Sequence, residues 1–449
     1  MRTKKKLISI LLTVSMMLTM FPFAAFAQDA NDAERKVVYP DGVTVESFTD
    51  DKVIYIDQVN EGHREHYYRT FKDALEASAK DATLYCKEGA FIPNDGNHIS
   101  IPHSLTIEGN GATQVFSIKD DKIEAGEANF SVEEYQNFNE DVVFTVNRLN
   151  NASVWGTRKT AYTFTLYLND CGVNTNYNNG MRVYINGETG DNHINITGCT
   201  YENLTPCTVY SNAPGTIKIE NCQFDGVPVP INFNNKSTGA QTIKVSNTAF
   251  NNCATKDITT AAQQTYASNI RVLSTAEGGS SVLNVDNCTF TYDEGKEKAN
   301  GDILLGDGRV DGNIYKNATL SIVNTAADVQ MQKPGYYKTA TGTDTDDTKL
   351  QTATVAESDQ PTTLSVVEAF AVAKVGDDYY ESLEEAVRAA NDKTVTLLKD
   401  VTIDTWNQVW NAKGLSIDGN GKTLTVNAIE SNGNGNFLFY GAENLNVSD

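Results

Sequence analysis

A nine-residue pattern, TIKIENCQF at 216–224, recurs along the chain and restricts its possible folds more than any other feature. Altered copies are TIKVSNTAF (242–250), VLNVDNCTF (282–290) and INITGCTY (194–201), with weaker ones at FTLYLNDC (164–171) and LSIVNTA (320–326). Ile217 and Ile219 alternate with Lys218 and Glu220, so the isoleucines share one face of a strand and the charged pair meets water. Parity then changes, because Cys222 and Phe224 are apolar at even positions. One residue must turn the backbone between the two runs, and Asn221 stands there. Asparagine is among the few residues besides glycine that enter the left-handed region at low cost. Asn247 and Asn287 hold the same place before Phe250 and before Cys288 and Phe290, and Gly198 replaces Asn in another copy.

A lone strand–bend–strand unit cannot bury its apolar edge, whereas stacked units can, and repetition at a near-fixed period marks such stacks. Cys199, Cys222 and Thr248 are 23 and then 26 residues apart, about one turn of a β-solenoid each. Longer steps to Cys288 and Thr325 predict loops inserted into those turns. The expected fold is all-β: a right-handed parallel β-helix with a short N-terminal capping helix, followed by the start of a second similar module. An antiparallel sandwich also explains the alternation, but not the recurring bend.

Residues 1–27 read as a signal peptide. Arg2 and Lys4, Lys5 and Lys6 form the basic start, 7–20 the apolar run, and Ala25-Phe26-Ala27 the cleavage box. No other apolar run reaches membrane-spanning length. The formal net charge is −22, and removal of the basic leader makes it more negative. Such a surface repels nucleic acid and anionic membranes and suits a soluble secreted protein. Seven cysteines are present, an odd number that leaves at least one unpaired. Cys199, Cys222 and Cys288 share one inward rung position with Thr248, which favours reduced core cysteines. One or two disulfides, or a metal site, are the alternatives.

A polar leader is expected over 28–52. Phe71, Ala74, Leu75 and Ser78 follow helical spacing behind a capping box at Thr70 and Asp73, and strands are expected at 53–56, 82–86, 104–107 and 115–118. The passage at 67–92 reappears at 379–403. Tyr67 matches Tyr379, Phe71 matches Leu383, Ala74 matches Ala386, Ser382 with Glu385 repeats the cap, and LTIEGNG at 105–111 matches LSIDGNG at 415–421. The expected organisation is therefore a first module over 53–325, a Thr- and Asp-rich linker over 326–367, and a partial second module over 368–449. The second copy stops at the start of a rung, which is read as a sign of a longer protein or of a completing partner.

The rungs, with VAKVGDDYYESLEEAV (372–387) and LLKDVTI (397–403), resemble the repeat modules of bacterial right-handed β-helix surface proteins in the pectate-lyase-like superfamily. That resemblance implies a secreted or cell-surface, adhesin-like protein that binds extracellular glycans or neighbouring or host surface proteins, or serves as a stalk. It implies no cofactor. The superfamily also contains polysaccharide lyases and glycoside hydrolases, which is the alternative reading. Their motifs are missing: there is no vWxDH-like stretch, no Arg-x-Pro-x-x-Arg, and no ordered set of Asn-Thr-Asp, Asp-Asp, Gly-His-Gly and Arg-x-Lys.

No catalytic or metal residue is assigned. Asp120-Asp121 and Asp346-Asp347 are adjacent carboxylates in polar segments, whereas glycosidic chemistry needs two held across the bond at a fixed separation. GDGRVDGN (306–313) places Asp307 and Asp311 as a calcium loop would, but Arg309 takes a ligand position and no closing Glu follows. His63 and His66 lack the helix that would make them a metal pair. Trp155, Trp406 and Trp410 are the only tryptophans, and exposed aromatic surface is one way to hold a sugar. The residues singled out are thus the rung positions Ile217, Ile219, Asn221, Cys222, Phe224, Asn247, Phe250, Asn287, Cys288 and Phe290.

Overall fold

The computed structural model describes residues 37–448 except 97, 125, 133–139, 159–161, 173–181, 188–190, 203–207, 275–278, 307–317, 333–349, 366–371, 377, 381, 391, 404–414 and 427–445. The predicted signal peptide, Cys207, Asp307, Arg309, Asp311, Asp346-Asp347, Trp406 and Trp410 lie outside them. No helix among the described residues is long and apolar enough to cross a membrane.

The protein is all-β, with long parallel sheets. A first sheet of twelve strands runs, in its parallel part, from Thr83–Cys86 through Leu105–Glu108, Val142–Asn147, Phe164–Asn169, Asn192–Thr197, Gly215–Glu220, Ala240–Ser246 and Ser280–Asp286 to Ala318–Val323. A second sheet of ten runs, in its nine-stranded parallel part, from His98–Ser100 to Ala327–Gln332. A short third sheet stacks Thr200–Glu202, Gln223–Asp225, Ala249–Asn251 and Thr289–Thr291. Gly215–Glu220 lies in the first sheet, Gln223–Asp225 in the third and Ile231–Asn235 in the second, and the chain then returns to the first sheet at Ala240–Ser246. Each circuit lies in register on the one before, which is compatible with a β-helix and leaves no place for an antiparallel sandwich. The inward side chains form one continuous core from Val53 to Val355.

Both ends of this body are closed by antiparallel strands. At the start, Ile54–Ile56 pairs antiparallel with Tyr67–Tyr68 and with Thr83–Cys86. The helix Phe71–Ala77 follows, with Phe71, Ala74, Leu75 and Ala77 buried and the Phe71 ring edge-on to Phe130 at 5.2 Å. Half of the predicted capping box is made. Thr70 Oγ1 accepts the Asp73 N–H at 3.1 Å, but the Asp73 carboxylate accepts the Thr70 hydroxyl at 2.9 Å. At the far end, Leu350–Val355 pairs antiparallel with Ala327–Gln332, and Thr362–Ser365 with Ala318–Val323. The expected linker over 326–367 thus carries three strands of the sheets. Its threonines hide the alternation, because they are as much at home in a strand as in a loop.

The expected strand at 115–118 is two, Thr113–Val115 and Ser117–Lys119. The polar leader is tied to the first rungs. Asn110 Oδ1 accepts the Val38 N–H at 2.9 Å, while its Nδ2 donates to the Val38 and Cys86 carbonyls at 3.0 and 3.1 Å.

The matching passage downstream rebuilds the same opening. Ala373–Val375 pairs antiparallel with Asp378–Tyr380 and with Thr394–Leu397. The helix Leu383–Ala389 again begins on a cap, with Ser382 Oγ accepting the Glu385 N–H at 3.2 Å. Ser416–Asp418 then adds in parallel.

Candidate functional site

The rung residues form buried ladders and a line of bends. Ile217 and Ile219 sit in the first-sheet core with Ile194, Ile196, Ile243, Val245, Leu283 and Val285 above and below them. Asn221, Asn247 and Asn287 have φ of +55°, +50° and +50°, and Asp170, Gly198 and Asn324 occupy the same left-handed position in other rungs. Asn287 Nδ2 also donates to Asn247 Oδ1 at 2.8 Å. Past the bend, Tyr201, Phe224, Phe250 and Phe290 stack nearly parallel at 4.6, 5.0 and 5.2 Å between centroids.

The bend explains why cysteine and threonine share one rung position. The Cys222 thiol donates to the Glu220 carbonyl two residues back at 3.3 Å, as Cys288 does to Asp286 at 3.5 Å. The Thr248 hydroxyl does the same to Ser246 at 2.9 Å and Thr325 to Val323 at 2.9 Å. Each of these carbonyls also accepts a backbone N–H from the neighbouring rung, Gly198 onto Glu220, Asn247 onto Asp286, Asn221 onto Ser246 and Asn287 onto Val323, so the small side chain supplies a second donor to its second lone pair. The six described cysteines are free and buried. Burial pushes the Cys199 thiol well above its usual range, and those of Cys253 and Cys288 to about 12.

Of the sequence-flagged polar groups, Asp120, Asp121, His63 and His66 fall among the described residues. Asp120 and Asp121 form the turn of the hairpin Ser117–Lys119 to Lys122–Glu124, with φ of +49° and +56°. The His66 ring Nδ1 lies 2.6 Å from the Ile56 carbonyl, and His63 is exposed. Among the described residues no group of three or more His, Cys, Asp or Glu is placed to hold a metal ion.

The outer side of the second sheet has a different character. Trp155, Tyr184 and Tyr210 are in-register neighbours on successive strands Val154–Arg158, Val183–Gly187 and Val209–Ser211. They alternate with the buried Val154, Val183 and Val209 and are half-buried themselves. Their rings are within 19° of parallel. Centroids are 6.4 Å apart from Trp155 to Tyr184 and 4.5 Å from Tyr184 to Tyr210, and His98 stacks on Trp155 at 4.7 Å. The Arg182 guanidinium lies over the Tyr184 ring, 4.9 Å from its centroid.

The next two positions in register, Asn232 and Arg271, are covered by the chain itself. Residues 252–269, one of the predicted inserts, carry the helix Ala261–Gln264 and bring the Tyr266 ring 5.2 Å from the Arg271 guanidinium. Arg271 Nη1 donates to Asn232 Oδ1 at 2.8 Å and Nε to the Gly306 carbonyl at 3.2 Å. The second insert locks the cover. Asn300 Nδ2 donates to the Gln264 and Ala267 carbonyls at 2.7 and 2.9 Å. Asp302 accepts from the Tyr292 hydroxyl at 2.7 Å, from Lys298 at 2.8 Å and from the Asp328 N–H at 2.8 Å. Burial works against the Lys298 charge, but the Asp302 and Asp328 carboxylates outweigh it and hold the ammonium on. The exposed part of the ladder is thus a shelf that ends at a fixed step.

Sequence reasoning noted Trp155 only as one of three tryptophans, assigned it no site, and missed its partners. The signal that could have found them is the recurring pair Val154-Trp155, Val183-Tyr184 and Val209-Tyr210. Comparison with family models, curated proteins and solved structures gave no match to the chain.

Proposed function

We propose that the chain is a right-handed parallel β-helix of a secreted or cell-surface repeat protein, and that it acts by binding extracellular glycans along an outer face. The observation that carries the reading is the Trp155–Tyr184–Tyr210 shelf. Aromatic groups with polar tips supply both apolar contact and hydrogen bonds, which is what an amphipathic sugar chain requires. The in-register stack supports it further, because each circuit lies about 4.8 Å from the next and repeats the same outward position.

The test incubates the full chain with a panel of plant and host polysaccharides and measures both retained polymer and new chain ends. Retention without new ends is expected. New ends that disappear on replacing one carboxylate would transfer the protein to the polysaccharide lyases or glycosidases. Neither retention nor new ends would leave a structural stalk as the better account.

A further inference from the structure

Seven neighbouring strands of the second sheet, His98–Ser100, Asn129–Ser131, Val154–Arg158, Val183–Gly187, Val209–Ser211, Ile231–Asn235 and Ile270–Ser274, contain no Asp or Glu. Yet the chain has 58 acidic residues against 36 basic ones. The basic residues within them are His98, Arg158 and Arg271, and Lys159, Arg182, Glu188 and Lys236 directly adjoin their ends in the sequence. We propose that this strip binds an anionic polysaccharide, with Arg182 and the hydroxyl edges of Tyr184 and Tyr210 as its contacts. The inference rests on the glycan reading above and gives it a substrate class.

The stack geometry favours an anion. An aromatic ring is negative on its faces and positive around its edge. The Tyr184 and Tyr210 faces are turned to each other at 4.5 Å, so the positive edges and phenolic O–H donors are what the ladder presents outward. The Arg182 guanidinium, over the Tyr184 ring at 4.9 Å from its centroid, is held within the same strip and is half-buried. A guanidinium's planar set of donors matches a carboxylate or sulfate. The same geometry disfavours single-stranded nucleic acid, which needs exposed ring faces on which bases can stack. From the His98 strand to the Tyr210 strand is four strand spacings, or about 19 Å, so the occupant is an extended chain.

The full chain is run by affinity electrophoresis through gels containing hyaluronan or dextran, with a thymidine oligonucleotide as competitor. Hyaluronan is expected to retard it about tenfold more strongly than dextran, with R182Q about tenfold weaker and R182K closer to wild type. Y184A tests the edge and is expected to weaken binding. K218Q removes a half-exposed cation, paired with Glu220, from the first sheet and is expected to bind as wild type. Far-ultraviolet circular dichroism confirms that each variant is folded. Equal retardation by dextran and hyaluronan would overturn the anion inference and leave the glycan reading standing. Retardation by neither would sink both. Competition by the oligonucleotide at lower concentration than hyaluronan itself, wild-type behaviour of R182Q, or equal losses in R182Q and K218Q would each overturn the proposal.

Discussion

Replacing Asn221 by alanine isolates the bend from everything else the rung does. Asn221 is exposed and its side chain makes no hydrogen bond among the described residues, while its backbone N–H donates to the Ser246 carbonyl at 3.1 Å. What the residue contributes is tolerance of φ near +55°. A side chain with a Cβ pays roughly 1–2 kcal/mol in that region, a cost that Asn offsets in part, so N221A is expected to lose about 1 kcal/mol. Glycine suffers no steric cost there but has more freedom to lose on folding, so N221G should stay within about 0.5 kcal/mol of wild type. For a body of this size 1 kcal/mol corresponds to roughly 2 °C in melting temperature, so chemical denaturation is the better assay. Fluorescence-detected urea titrations of wild type, N221A and N221G give the comparison. Equal losses in both variants, or a larger loss in glycine, would refute the assignment of Asn221 to the left-handed bend.

Other consequences follow from the buried ladders. F250A removes the middle ring of the stack between Phe224 and Phe290 and should cost about 3–5 kcal/mol, read by the same titration. C222T keeps a donor for the Glu220 carbonyl and should cost less than C222V, which is close to threonine in shape but has no donor. The raised Cys253 and Cys288 thiols are protonated in the folded state to about pH 12, whereas unfolded thiols ionise near pH 8.5. Their contribution to stability is therefore complete below the unfolded value and is lost as pH rises toward 12. Melting temperature should fall across that alkaline window, and the six buried thiols should react with Ellman's reagent only after denaturation.

Much of the body was legible because the rung carries its own punctuation. Ile217 and Ile219 show the period of two, Asn221 shows the break, and Cys222 with Phe224 shows the opposite parity. The duplicated passage was equally plain, and both copies form the same antiparallel opening and helix. The closing strands Leu350–Val355 and Thr362–Ser365 were not legible, since their alternation is threonine against small or apolar residues within a Thr-rich stretch. The aromatic shelf was harder still. Trp155, Tyr184 and Tyr210 become neighbours only when the register between distant strands is known, and loops of unequal length separate them. Nor does composition show that residues 252–269 fold back over Arg271, a placement made by tertiary contacts such as Tyr266 on the guanidinium.

The stacked, in-register rung is the claim on which the rest depends, and spin-label distances test it most directly. Tyr167, Asn195, Lys218, Lys244 and Asn284 are successive partners across the first sheet. Nitroxides at Y167C and N284C span four strand spacings and should show a narrow distribution centred near 19 Å, and Y167C with K244C should fall about 5 Å shorter. Native cysteines do not interfere if they remain buried, as the six described ones are. Broad distributions beyond about 30 Å, or distances that fail to shorten by one strand spacing, would contradict the stacked rung.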